Sequence, residues 1–327
     1  MSSDSVHVLE PGLETAVQEL PGRIGYWEQG FPPSGPVDSW SFRLANLLVG
    51  NARDTAALEC QFLGPTLRLE RDVTLAVTGA DMSPKLDDQP IAMWTSVKAR
   101  AGQVLALSAA LSGARSYIAF SGGIATEPVL GSRAVFHMAR IGGTALQAGT
   151  TLPLGTHGDP AFAPKTVAED ARPTLSTDRL WRVECVPGPN DDWLTPDFNE
   201  AFFAAEWIIQ GKSNRTGIRL TGPEFQFAER AFDKKPEHGQ DPSNILDHGY
   251  PLGAVNLAGQ TPIILINDAP STGGFINPFT VPSGAFWKLG QARPGEKISF
   301  VRTSVSEAQD LARRLDGYAS PASLRDV

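Results

Sequence analysis

Short apolar runs closed by Gly, Pro, Asn or Asp recur along the whole chain, with few stretches of helical period between them, and this pattern constrains the fold more than any other feature. Ala56–Phe62, Val73–Thr78, Val104–Leu107, Arg115–Phe120, Leu180–Val186, Gly217–Leu220, Pro262–Ile266 and Lys297–Val301 all read as strands rich in Val, Ile, Leu and Phe. Strands that follow one another without intervening helices pair antiparallel or close into barrels, and do not build a doubly wound α/β sheet. The 32 glycines and 26 prolines supply the turns such a fold needs. The expected fold class is therefore mainly β with a few short helices.

Three segments carry helix signals. Asp38 can cap a helix over Ser39–Val49, with Phe42, Ala45 and Leu48 on one face and Gly50 at its end. Thr195-Pro196 has the cap-then-proline order and predicts a helix through Phe198, Phe202, Ala205 and Ile209 to Gly211. Ser304 and Glu307 form a capping box ahead of Ala308, Leu311, Ala312 and Leu315. Between residues 156 and 178 the chain turns rich in Pro, Ala, Thr and charge without an apolar period, which predicts a linker or surface crossing. The expected organisation is a β-rich subdomain over 1–155, that crossing, and a second β-rich subdomain over 179–327 ending in a helix. Small-residue turns after apolar strands, at residues 78–81 and 268–274, hint at two similar halves.

A formal net charge of -8 repels phosphate backbones, so nucleic acid is a poor partner. No apolar run reaches the roughly 20 residues a membrane span needs, and no signal peptide is visible, so the reading is cytoplasmic. Cys60 and Cys185 sit in apolar strands and are expected to be reduced, buried and structural. The five histidines, including His157, show no metal-ligand spacing, so no metal is expected. Gly290–Lys297 has the glycine spacing of a phosphate loop, but Glu296 stands where lysine is needed and a strand follows. Ala269–Gly273 lacks the first glycine and the following helix of a nucleophile elbow. No Met-Lys pair offers a biotin attachment point, so any biotin must arrive on another polypeptide.

Polar side chains concentrate in four places. Pro32-Pro-Ser-Gly-Pro-Val-Asp38 is a rigid turn feeding a helix, and Gly188-Pro-Asn-Asp-Asp-Trp193 puts two carboxylates before one; each serves as a cap or as a site. Arg215 and Arg219, four apart in a predicted strand, point to one face and could grip a carboxylate, carbamate or phosphate, or simply be solvated. Pro242-Ser-Asn-Ile-Leu-Asp-His-Gly-Tyr250 brings Asn244, Asp247, His248 and Tyr250 together, followed by the loop carrying Ser271, Thr272 and Gly273. Opposed donors and acceptors of this kind can hold a small amide, and Gly273-Gly274 permits close backbone approach with N–H groups for an oxyanion.

At this point a family resemblance emerges. Val17-Gln-Glu-Leu-Pro-Gly-Arg-Ile-Gly-Tyr-Trp27, the segment 32–38, and Phe42-Arg-Leu-Ala-Asn-Leu-Leu-Val-Gly-Asn51 resemble the family of KipA, which includes allophanate hydrolase subunit 2 and the C subunit of 5-oxoprolinase, and the C-terminal half of the urea carboxylase carboxyltransferase domain. Gly64-Pro65, Thr78-Gly-Ala-Asp81, Gly131-Ser-Arg133, Gly188–Trp193 and Ser213–Leu220 continue it, and the Pro21-Gly-Arg-Ile-Gly-Tyr-Trp27, Pro242–Tyr250, Gly253-Ala-Val-Asn256, Pro270–Pro278 and Phe286–Gln291 segments look like the urea carboxylase branch. The resemblance implies two cyclophilin-like barrel subdomains and a KipI-like (allophanate hydrolase subunit 1) partner. It also implies a separate biotin carboxylase and biotin carrier protein, with Asp247 and Tyr250 as the catalytic contacts to urea. The C subunit of an ATP-dependent 5-oxoprolinase, and a non-catalytic module that binds a KipI-like regulator, are the alternatives. Glu19 and Phe136-His-Met-Ala-Arg-Ile-Gly-Gly143 depart from the pattern, which leaves guanidine, another amide or a lactam as competing substrates.

Overall fold

The computed structural model describes residues 4–156 and 163–327. The fold is mainly β and divides into two compact units, one of Met1–Ile24, Pro33–Leu175 and Leu315–Val327, the other of Gly25–Pro32 and Ser176–Arg314. Part of the expected crossing, with His157, lies outside the described residues. Beyond it Lys165–Val167 pairs with Leu324–Asp326, so the C-terminal tail packs in the first unit. No helix among the described residues is long and apolar enough to cross a membrane.

The first unit holds a six-stranded and a five-stranded antiparallel sheet. Side chains alternate across the central strand Ser112–Phe120. Ile118 and Phe120 join Val6, Val8, Leu58, Leu67, Leu75 and Cys60 in one core, while Tyr117 and Ala119 face the helix Ser39–Leu48. That helix lays Phe42, Ala45 and Leu48 on the sheet, as its spacing predicts. Its cap is buried. Asp38 Oδ1 accepts the N–H groups of Trp40 (3.1 Å) and Ser41 (3.0 Å), and Oδ2 accepts the Ser41 hydroxyl at 2.6 Å. Asp38→Ala should lower the stability of this unit by about 2 kcal/mol, the upper end for a lost cap, because solvent cannot replace the carboxylate. Thermal unfolding checks this, with Asp38→Asn as control; equal losses in the two variants would contradict it.

Residues 78–81 do not turn. They extend the strand Val73–Asp81, where Gly79 (φ 84) absorbs a register shift against Ser112–Phe120. Glu19, one of the departures, uses its length to reach Arg133, accepting its backbone N–H at 2.7 Å.

The second unit is a closed barrel in the order Leu180–Pro187, Phe279–Thr280, Ala254–Ala258, Thr261–Leu265, Gly217–Thr221, Glu206–Ile209 and Lys297–Arg302. All its pairs are antiparallel except the closing one, where Leu180–Pro187 runs parallel to Lys297–Arg302. The second predicted helix starts as expected, with Thr195 Oγ1 accepting the Phe198 N–H at 3.2 Å, but stops at Ala204. Glu206–Ile209 is instead a strand, because Trp207 and Ile209 alternate inward and its edges pair with two neighbours. Phe202 stacks on Phe279 (3.8 Å between centroids) and Phe300 (4.6 Å), tying the helix to the barrel strands. Cys60 and Cys185 are buried and free, and burial pushes both thiols far above the ordinary range, so neither is a ready nucleophile.

Candidate functional site

The strongest concentration of chemistry lies on a two-stranded ribbon in the barrel unit. Asn244–Gly249 runs antiparallel to Thr272–Phe275, with His248 opposite Gly273 and Gly249 opposite Thr272. These strands flank the barrel hairpin 254–265 in sequence, so both ends of the ribbon are anchored. The Tyr250 N–H donates to the Ser271 carbonyl at 2.7 Å and continues the pairing. The pattern thus brings Asn244, Asp247, His248, Tyr250, Ser271, Thr272 and Gly273 together.

Tyr250 is buried against Ala254, Leu265 and Ala269. Its phenol oxygen accepts the Phe275 N–H at 2.6 Å and is also hydrogen-bonded by the Asn256 side chain, in the sense that favours tyrosinate, that is, as a donor. Desolvation outweighs both donors, and with the nearby Asp247 charge it keeps the phenol above the usual tyrosine range. A protonated phenol that already receives two N–H groups has one thing left to offer, its own hydrogen. Tyr250 is a donor.

Asp247 supplies the opposite polarity. It is exposed, and its Oδ1 lies close over Gly274, where an added Cβ would stand 3.2 Å from it. At Gly273 a Cβ would lie 2.6 Å from Tyr250 Cε2 and 2.7 Å from its hydroxyl. The two glycines lie in extended strand, and their missing side chains make room for the tyrosine and the carboxylate. His248 packs edge-on to Tyr250 at 5.1 Å and fixes its ring through the Phe275 carbonyl, 2.9 Å from Nε2. Asn244 begins the ribbon, its carbonyl accepting from Lys234 at 2.8 Å.

The arginines do not form a pair. Arg215 precedes the strand Gly217–Thr221, so strand alternation does not apply to it. It is buried in a two-point contact with Asp268, Nε to Oδ2 at 3.0 Å and Nη2 to Oδ1 at 3.3 Å. Arg219, inside the strand, is exposed. Arg215 thereby fixes the loop leading into Ser271–Gly274. The Gly188–Trp193 segment is likewise built into the scaffold: Asn190 Oδ1 accepts the Asn277 N–H at 2.8 Å, and residues 191–193 form a 3-10 turn ahead of the helix. Neither Asn256 nor Asp268 was singled out from the sequence as a site residue; the available signal was, for Asn256, a polar residue inside an apolar run and, for Asp268, its place at the head of the turn 268–274.

Residues 29–302 match the model of the carboxyltransferase domain, subdomain A and B. The chain belongs to this carboxyltransferase family. It is 37% identical to the urea amidolyase of Saccharomyces cerevisiae, in a match covering 96% of this chain and 18% of the yeast protein. It therefore spans less than a fifth of that relative. The C subunit of the Escherichia coli 5-oxoprolinase is 34% identical, with 92% of each chain covered. The crystal structure of the Kluyveromyces lactis urea carboxylase superposes with a TM-score of 0.91 at 36% identity, over 99% of this chain and 30% of that one. The family and these relatives agree with a carboxyltransferase fold built mainly of β-structure.

Proposed function

We propose that this chain is one half of a biotin-dependent carboxyltransferase, delivering a carboxyl group from carboxybiotin to urea or a similar small neutral amide. The observation that carries the reading is the fixed polarity of the ribbon, a Tyr250 donor beside an Asp247 acceptor. A urea-like molecule has one carbonyl acceptor and flanking N–H donors, and the pair complements it. Tyr250 donates to the carbonyl oxygen, while Asp247 accepts from the nitrogen and keeps its lone pair aimed at the incoming carboxyl carbon. Asn244, His248, Ser271, Thr272 and Gly273 complete the substrate pocket in this reading, whereas Arg215 acts by positioning the loop and Arg219 is left outside. Biotin, when carboxylated on a separate carrier, supplies the carboxyl group. The same donor–acceptor pair fits its ureido ring, which carries the carbonyl and N–H pattern of urea. A biotin carboxylase, the carrier and a KipI-like half are the partners the reading requires, and the urea amidolyase and urea carboxylase relatives are long enough to hold further domains, several times the length of this chain.

The match at equal length to the C subunit of a 5-oxoprolinase favours a second reading, in which the same ribbon holds the lactam of 5-oxoproline in an ATP-dependent hydrolase without biotin. Co-purification decides between them by whether a biotinylated companion is recovered. Asp247→Asn tests the site itself. Carboxyl transfer by the reconstituted complex should fall about 100-fold with assembly intact, because the amide turns half of its acceptor capacity into donors. Unchanged turnover would remove Asp247 from the site.

A further inference from the structure

Near Asn244, at the start of the ribbon, the barrel unit holds a concave site that the proposed chemistry leaves unused. A cavity of about 610 Å³ is lined by Trp193, Arg230, Asp233, Lys234, Lys235 and His238. Three permanent cations meet a single carboxylate in this lining, on a chain whose net charge is -8. Like charges on neighbouring residues ordinarily spread into solvent, yet here two gather over one indole. Arg230 Cζ lies 5.1 Å and Lys234 Nζ 5.8 Å from the Trp193 ring centroid.

One further detail points to a ligand, beside the half-buried His238 that shares this lining. Desolvation lowers the Lys234 ammonium below the usual lysine range, so it gains more than an exposed lysine from a nearby anion. Carboxylates already near these cations are weak competitors. Arg230 pairs with Asp192, and Lys235 with Glu237 at 4.0 Å, but all four side chains are exposed, and pairs of that kind contribute little. The Asp241 carboxylate has its Oδ1 held by the Ser243 N–H and hydroxyl, and its charge acts on Lys234 less strongly than desolvation does.

We propose that this cavity binds a small phosphate-bearing anion, with Lys234, Lys235 and His238 as donors and Trp193 as the apolar wall. Point-charge lysines and an imidazole approaching from separate residues suit a tetrahedral group with several oxygens better than a flat two-oxygen carboxylate. The site is linked to the ribbon through one ammonium. Lys234 Nζ donates to the carbonyls of Asp241 and Asn244, and Asn244 is the first residue of the ribbon that carries Asp247. An anion that draws on Lys234 therefore shifts the anchoring of the ribbon, and phosphate and amide affinities become coupled in both directions.

Calorimetric titration of the full chain with inorganic phosphate tests the proposal without any activity assay. Saturable one-to-one binding is expected, weakened about tenfold or more by Lys235→Glu and by His238→Ala, each removing one charge-assisted contact while circular dichroism stays unchanged. Phenyl phosphate binding more tightly than inorganic phosphate would identify a monoester whose body rests on Trp193; equal or weaker binding would identify free phosphate. Absence of saturable binding up to millimolar phosphate, or binding indifferent to both substitutions, overturns the proposal.

Discussion

Arg215→Ala is expected to destabilise the barrel unit by about 3–5 kcal/mol, because it strands the Asp268 carboxylate in a site from which water is excluded. The two side chains are only 4% and 2% exposed, and they meet at two points. Breaking such a pair costs more than the pair contributes, since the remaining charge keeps its full desolvation penalty. The double variant Arg215→Met/Asp268→Leu should therefore recover much of the loss. Arg219→Ala, on an exposed side chain of the same segment, should change stability by no more than about 0.5 kcal/mol. Denaturant unfolding of the three variants checks the ranking. Equal costs for the two single arginine variants would show that Arg215 is not held as described.

Gly273→Ala is expected to remove carboxyl transfer almost completely, by on the order of 100-fold or more, while leaving the barrel folded. Its methyl group would stand 2.6 to 2.8 Å from three atoms of the Tyr250 ring and hydroxyl, closer than real carbons approach. Tyr250 is packed and cannot retreat, so either the ring rotates away from the Phe275 N–H or the ribbon opens. Both misplace the hydroxyl that, in the proposed reading, donates to the amide carbonyl. Gly274→Ala should be milder, since one of its close contacts is the end of the exposed Asp247 side chain, 3.2 Å away, although the Ile245 carbonyl at 3.0 Å must also shift. Turnover in the reconstituted complex, measured beside the thermal transition, separates the effects. Wild-type turnover in Gly273→Ala would show that Tyr250 does not act through its hydroxyl.

Features written in local residue chemistry were legible in the chain. Asp38, Thr195 and Ser304 cap helices where the sequence places them, since a cap needs only a side chain and the next turn of backbone. The strand segments are strands because β-branched and aromatic runs between turn residues have few other uses. What escaped depends on partners far away in sequence. The helix after Thr195 ends at Ala204 because residues 206–209 find edges contributed by 217–221 and 297–302. Arg215 turns inward because Asp268, 53 residues on, is there to meet it. The role of Asn256 follows from Tyr250 folding back onto the same hairpin, a contact that no periodicity encodes. The polar cluster itself was legible, because its members are consecutive or lie on the adjacent ribbon strand.

The parallel seam of the barrel bears on how the chain is made. Lys297–Arg302 lies between Leu180–Pro187 and Glu206–Ile209, and it is the last barrel strand to leave the ribosome. Until it emerges, both of those earlier strands present unpaired backbone edges, which are templates for pairing with other chains. A contact of such long sequence separation also slows closure, since its entropy cost falls due before any reward. The nascent barrel therefore waits open through the synthesis of the whole ribbon, and its dependence on protection during translation should exceed that of the six- and five-stranded sheets of the first unit, whose last strand ends at Pro153.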